Sequence, residues 1–292
     1  MRIVSRKTLL LFFLPGAIFM AMFLIYPIFK MAIDSFYKFD VYTNEKLFVG
    51  LDNYIKAFTD GSFLIPLKNT FIYVFFAVSI ETIIGMALAL ILVNEFRGSK
   101  LIRSLLLSPL MIAPIIAGLT WRLMFNSNFG IINQILRNVG ILKKATDTIT
   151  WLADKELALV AAIIADVWLT VPFMMLVFLA GLQSIDKGIL EAAKIDGVNF
   201  FENLFYIKFP AIKQIILTAI SIRLIDAART FDIIYVMVDE QVTVISTVIY
   251  KTLVKYNRTG YASAMALIFI IFFVVFTLVF LRNMWRPSKG GS

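Results

Sequence analysis

The sequence has 292 residues, 60% of them hydrophobic and only 16% charged, with 28 Phe and a formal net charge of +9. A water-soluble domain of this length carries about a quarter of its residues as charges, and the alternating stretches of an outer-membrane barrel are missing, so the class that remains is an all-α polytopic membrane protein. With no Cys and no His, thiol nucleophiles, disulfides, zinc and haem ligation and imidazole chemistry are excluded and no metal site is expected; the basic balance fits cytoplasmic membrane flanks and not a nucleic-acid partner.

Hydropathy places about six transmembrane helices along the chain, each long enough at about 1.5 Å per residue to cross a core of roughly 30 Å. The first, Leu9–Phe29, follows Arg2, Arg6 and Lys7. No small-residue cleavage site stands in Lys30–Asp40, so this is a retained helix and not a signal peptide. The others are Thr70–Val93, Ser104–Phe125, Leu157–Leu182, Ala211–Val238 and Tyr261–Leu281. Pro109, Pro114 and Pro172 predict kinks in the third and fourth, and the fourth and fifth are long enough to tilt. Residues 1–286 read as one transmembrane domain, and Pro287–Ser292 as a disordered tail or expression remnant. Lys and Arg are nearly even on the two sides of the membrane. They are denser in the short segments, with Arg97, Lys100 and Arg103 in one loop and Arg282 and Arg286 beside the last span. Both termini are therefore expected in the cytoplasm.

Besides Lys213 at the very start of the fifth span, seven ionisable side chains fall inside these spans: Glu81, Arg122, Asp166, Arg223, Asp226, Arg229 and Asp232. One central charge costs roughly 2.5–3.5 kcal/mol on insertion scales, so the four on the fifth span would cost about 10–14 kcal/mol if lipid-facing. They must pair, sit near the interface or line a wet cavity. Arg223 with Asp226 and Arg229 with Asp232 are i,i+3 pairs of opposite sign. Asp166, Leu169, Thr170 and Phe173 share one stripe of the fourth span. That stripe joins a carboxylate, a hydroxyl and an aromatic, which suits a sugar; packing with the charges paired across helices is the alternative. Trp121 and Arg122 read as outer-interface anchors.

The loop at 183–210, between spans four and five, is the most specific stretch. Glu191-Ala192-Ala193-Lys194-Ile195-Asp196-Gly197 reads as a short helix ended by a left-handed glycine. Asn199 then stands three residues before Glu202, the spacing of a capping box, and Pro210 suits the first turn of the next helix. Two short amphipathic helices in such a loop make a stiff knob for a partner's groove.

These residues resemble the EAA loop of importer permeases of the ATP-binding-cassette (ABC) class: Glu-Ala-Ala, a Gly six residues after the Glu, then Ile207 and Pro210, with Phe209 where Leu is usual. Gly50-Leu51-Asp52-Asn53-Tyr54, Asn126 to Asn133, Trp151-Leu152-Ala153-Asp154, Arg229-Thr230-Phe231-Asp232 and Gly260-Tyr261-Ala262-Ser263-Ala264 extend the likeness over nearly the whole chain. It narrows to the maltose-type carbohydrate permeases and to the first member of their usual pair. Ser127 replaces a customary Pro, and Val238-Asp239-Glu240-Gln241-Val242 replaces a Gly-rich turn.

The resemblance implies a transport subunit that is not itself an enzyme. It would sit in the bacterial cytoplasmic membrane and move a sugar or oligosaccharide by alternating access. Its implied partners are a second permease, two ATPase subunits holding ATP and Mg, an extracytoplasmic binding protein and membrane lipid. No cofactor is expected on this chain, and none of it reads GxxxxGK[ST]. Glu191, Ala192, Ala193, Asp196, Gly197, Ile207 and Pro210 would couple to an ATPase. Asp166, Leu169, Thr170, Phe173, Arg223, Asp226 and Ala227 match the substrate-contacting stripes, and Arg223 would suit an anionic saccharide. A permease for another small solute would share the coupling loop but not the other stretches together. An ion-driven secondary transporter would have no use for the loop.

Overall fold

The computed structural model describes residues 6–39, 45–94, 96–144, 147–238 and 240–284, without the side chains of 6–10, 280, 281, 283 and 284. Arg2, Asp40, Asp239, Arg286 and the tail at 287–292 lie outside the described residues, as do the side chains of Arg6 and Lys7.

In chain order, α1 (Arg6–Met20) passes through a π turn at Ala21–Ile25 into α2 (Tyr26–Asp34). The wide turn falls just ahead of Pro27, whose ring would crowd the Phe23 carbonyl in a regular α-helix. A short hairpin follows, β1 (Tyr37–Phe39) against β2 (Lys46–Phe48), antiparallel with Lys38 opposite Leu47. Then come α3 (Asp52–Thr59), α4 (Gly61–Leu92) and α5 (Ser99–Leu107). A 3-10 turn at Ser108–Met111 leads to α6 (Pro114–Met124), α7 (Ile131–Asn138), α8 (Lys155–Gln183) and α9 (Lys187–Ile195). Next, α10 (Phe200–Glu202) runs by a π turn at Asn203–Lys208 into α11 (Phe209–Ala211). The chain continues in α12 (Lys213–Ala228), α13 (Asp232–Met237), α14 (Ile245–Tyr250), a π turn at Lys251–Lys255 and α15 (Thr259–Met284).

Among the described residues the fold is all-α apart from the hairpin, and four single helical stretches are long and apolar enough to cross a membrane: Leu11–Asp34, Gly61–Leu92, Lys155–Gln183 and Thr259–Val279. Two of the expected spans differ. The third is broken: Ser99–Met111 and Pro114–Met124 meet at 97°. Pro109 and Pro114 each remove a backbone donor there, and Ile112 and Ala113 become extended. Helix α8, by contrast, continues through Pro172. The fifth expected span, Ala211–Val238, is not one helix. It stops at Arg229 and resumes at Asp232, leaving α12 at 16 residues. Its mean hydropathy hid that break, because the polar residues sit between two apolar runs.

The chain forms two compact units, Met1–Leu64 with Val248–Phe272 and Ile65–Thr247 with Phe273–Ser292. In the first, the end of α2 is stitched to α3. Asn53 Nδ2 donates to the carbonyls of Ser35 (2.8 Å) and Tyr37 (3.1 Å), and the Tyr54 and Ser35 hydroxyls lie 2.6 Å apart. Gly260 packs so closely on the Tyr37 carbonyl that no Cβ fits, and the Tyr261 hydroxyl bonds to that of Ser62 at 3.1 Å. Asp60 accepts from Ser62 N at 3.1 Å at the start of α4, and that bond lowers its carboxyl below the usual value.

The core of the second unit is α4 against α8. Ala158, Ala161, Ala162 and Ala165 are fully buried, and such small residues let membrane helices approach closely. A Cβ on Gly85 would stand 2.7 Å from the Met174 Cβ. Met86, Ala89 and Leu92 meet Met174, Phe178 and Leu182 in one cluster, which Ile212 and Ala219 complete.

Candidate functional site

The loop at 186–210 is built from local signals. Asp186 caps α9 by accepting from Gly188 N at 2.7 Å. At its far end Gly197 N donates to the Lys194 carbonyl (3.2 Å) and Val198 N to that of Ala193 (3.1 Å), a Schellman pattern, with Gly197 at φ +73°. The capping box follows: Glu202 N donates to Asn199 Oδ1 at 3.0 Å and Asn199 N to Glu202 Oε2 at 2.9 Å. Pro210 sits in the first turn of α11. This tightly bonded segment presents large apolar side chains outward: Ile195 is 87% exposed, Tyr206 78% and Phe201 68%. Glu191, Ala192 and Asp196 are exposed beside them, Ala193 turns inward, and Ile207 is half-buried.

The second feature is an ionic cluster. Arg223 on α12 bonds Glu81 of α4 through two nitrogens, Nε to Oε2 at 2.7 Å and Nη2 to Oε1 at 2.8 Å. The same guanidinium donates to Asp166 Oδ2 on α8 at 3.0 Å and to Asp226 Oδ2 at 2.6 Å. Thr170 Oγ1 stands 2.8 Å from Glu81 Oε1 and 2.6 Å from the Asp166 carbonyl, donating to one at a time. Glu81 is 0% exposed, and Arg223 and Asp166 are 3%. Only Asp226 reaches the surface, with 45% of its side chain exposed, where Arg229 Nη2 meets it at 2.9 Å.

Asp166, Thr170, Arg223 and Asp226, expected on facing stripes, are thus brought together, and Leu169 and Ala227 are buried beside them while Phe173 is half-buried. Two expectations change. Arg229 pairs back to Asp226 instead of forward to Asp232. The helix has ended, so Asp232 opens α13, where its charge suits the positive end of the helix dipole. Arg223 is also saturated by three carboxylates and offers no free fork to an anionic saccharide. If all three carboxylates are charged, the five ionic groups leave one negative charge in excess, which favours hydroxyl donors.

Glu81 is the member that sequence reasoning did not connect, because the partner that fixes its role lies 142 residues away. The stretches 126–133 and 151–154 also prove to be joined. Trp151 Nε1 donates to Asn133 Oδ1 at 2.9 Å, while Asn133 Nδ2 donates to the carbonyls of Ile149 (3.0 Å) and Ser127 (3.3 Å). Near them Arg122, expected as an interfacial anchor, donates to the Val236 carbonyl at 2.9 Å. It lines a cavity of about 550 Å3 with Asn126, Tyr235 and Gln241.

No protein-family model matches the chain. It is similar to the trehalose/maltose transport system permease protein MalF of Thermococcus litoralis, at 35% identity over 93% of this chain and 92% of that one. It is likewise 32% identical to the diacetylchitobiose uptake system permease protein NgcF of Streptomyces coelicolor, over 84% of this chain and 72% of that one. Among solved structures, a chain of a bacterial alginate ABC transporter in complex with an alginate pentasaccharide-bound periplasmic protein shares the fold. Its TM-score is 0.83 at 23% identity, covering 97% of this chain and 96% of that one.

Proposed function

The chain belongs to the permease subunits of ABC sugar importers, and from that premise we propose that it is the first of two paired permeases carrying a sugar or oligosaccharide across the bacterial cytoplasmic membrane. The observation that carries this reading is the knob at 186–210. It is stiff by its own hydrogen bonds yet turns Ile195, Phe201 and Tyr206 to the outside. Exposed apolar side chains on a rigid helix pair fit a groove on a partner. We assign that groove to one of two ATPase subunits, which hold ATP and Mg, with Glu191, Ala192, Ala193, Asp196, Gly197, Ile207 and Pro210 forming the joint. A flexible loop there would absorb the movement it has to transmit.

The substrate path in this reading follows the α8 and α12 stripes to Asp226. Its half-exposed carboxylate accepts sugar hydroxyls, Phe173 offers a flat face to the ring, and Asp166, Thr170, Leu169, Arg223 and Ala227 hold them in place. An extracytoplasmic binding protein delivers the sugar, and both termini of this chain lie in the cytoplasm. Purification of the chain with its native neighbours tests the assembly: two ATPase copies and a second, related permease are expected to come with it. Solute movement by the chain alone, driven by an ion gradient, would refute the reading. For the path, Asp226→Ala is expected to raise the sugar concentration needed for half-maximal uptake while ATPase subunits still co-purify; unaltered uptake kinetics would remove Asp226 from it.

A further inference from the structure

Three cations from separate elements of the first unit converge on one cavity. Lys38 comes from β1, Lys56 from α3 and Arg258 from the turn before α15, around a volume of about 470 Å3 walled also by Tyr256 and Tyr261. The walls are built, not draped. Asn53 and Gly260 fix the ends of α2, α3 and α15 against one another through the Ser35 and Tyr37 backbone, and Lys56 Nζ lies 5.2 Å from the Tyr261 ring centroid. Asp52 is the single carboxylate in the lining among the described residues. Asp34, nearby, is engaged by Lys46 at 3.5 Å. None of the ion pairs among the described residues uses Lys38, Lys56 or Arg258.

The position decides the ligand. One stretch long and apolar enough to cross a membrane ends at Asp34 and another begins at Thr259; Gly260, which packs close to the Asp34 carbonyl, lines the cavity together with Arg258, and this sets it at the headgroup level of both. Helix α3 turns Asn53 and Ala57 inward and leaves Leu51, Ile55 and Phe58 more than half exposed on its outer side. That is the habit of a helix lying in a membrane interface. Lysine and arginine at such a level reach lipid phosphates with their charged ends, and a phosphodiester can accept from all three side chains at once.

We propose that this cavity binds the phosphate of an anionic phospholipid headgroup, tying the first and last membrane crossings of the chain to one leaflet. The test is native mass spectrometry of the full chain in detergent, titrated with dioleoylphosphatidylglycerol, with dioleoylphosphatidylcholine, and with inorganic phosphate alone. Retention of phosphatidylglycerol over phosphatidylcholine is expected. The triple variant Lys38→Gln, Lys56→Gln, Arg258→Gln should weaken it at least about tenfold, given the contribution of each interfacial cation. Lys38→Gln and Arg258→Gln, each at an exposed side chain, are read singly as well and should give smaller losses. The charge-keeping pair Lys56→Arg, Arg258→Lys and the remote pair Arg97→Gln, Lys100→Gln should bind as the parent does. Equal retention of the two lipids, or undiminished phosphatidylglycerol binding by the triple variant, would overturn the proposal. Uptake of inorganic phosphate without phosphatidylglycerol would assign the cavity to a soluble anion and overturn the lipid assignment.

Discussion

Arg223 makes more ion pairs than any other side chain among the described residues. Two carboxylates with almost no contact with solvent, Glu81 and Asp166, depend on it. Removing one partner of a buried ion pair leaves a charge without compensation, at a cost of about 3–5 kcal/mol, whereas removing all the charges together is far milder. Arg223→Leu is therefore expected to lower the thermal midpoint of the purified chain sharply. Adding Glu81→Gln and Asp166→Asn to the same variant should recover most of the loss; failure to recover would mean that the cluster acts through its shape and not its charge. Asp226→Asn should be nearly neutral for stability, since its side chain is 45% exposed and surface pairs are worth about 1 kcal/mol or less. The i,i+3 relation of Arg223 to Asp226 was legible in the sequence. The link to Glu81 was not, because periodicity reports which residues share a face and says nothing of which distant face is opposite. The pairing of Arg223 with three carboxylates was hidden for the same reason: an arginine counted without its partners looks free.

Helix ends were read well where the signal is short-range. Gly197, Asn199 with Glu202, and Pro210 act over three or four residues, and the structure forms each motif as its spacing predicts. The two broken spans were misread because a hydropathy window averages over the very residues that interrupt it; Pro109 and Pro114 announced a kink, but not a turn of 97°. Gly197 offers a test of the knob's stiffness. Its φ of +73° is closed to proline, and Gly197→Pro also removes the donor to the Lys194 carbonyl. The variant should still reach the membrane with its partners and leave ATP hydrolysis running while sugar uptake is lost. Uptake at the parent rate would show that the joint lies elsewhere. Gly85 tests the α4–α8 contact independently: Gly85→Leu forces side-chain carbon into the Met174 backbone and should cost about 1–3 kcal/mol by overpacking, read as a lowered thermal midpoint.

Over the molecule as a whole, apolar residues face outward as freely as inward. Leu11, Phe12 and Phe13 of α1 are each more than 70% exposed, while the most thoroughly buried residues include Glu81 and Asp166. That inversion is the physical mark of a chain whose solvent is lipid, since hydrocarbon rewards exposed Phe and penalises an exposed carboxylate. It also explains why the class of fold was readable from composition while the sidedness was not: Lys and Arg are too evenly divided for the loop rule to decide alone. The sequence supplies its own means of deciding. With no native Cys, single cysteines at exposed polar sites can be labelled without background. Asn199→Cys, in the knob, should react in intact cells only with a membrane-permeant maleimide. Lys46→Cys, on the hairpin beyond the first crossing, should react with an impermeant one added outside. The proposed function requires the two positions to differ, because it sets the knob against ATPase partners and the hairpin one crossing away from an N-terminus it assigns to the cytoplasm. Impermeant labelling of Asn199→Cys in intact cells would place the knob where no ATPase works, and the transport reading would fall with it.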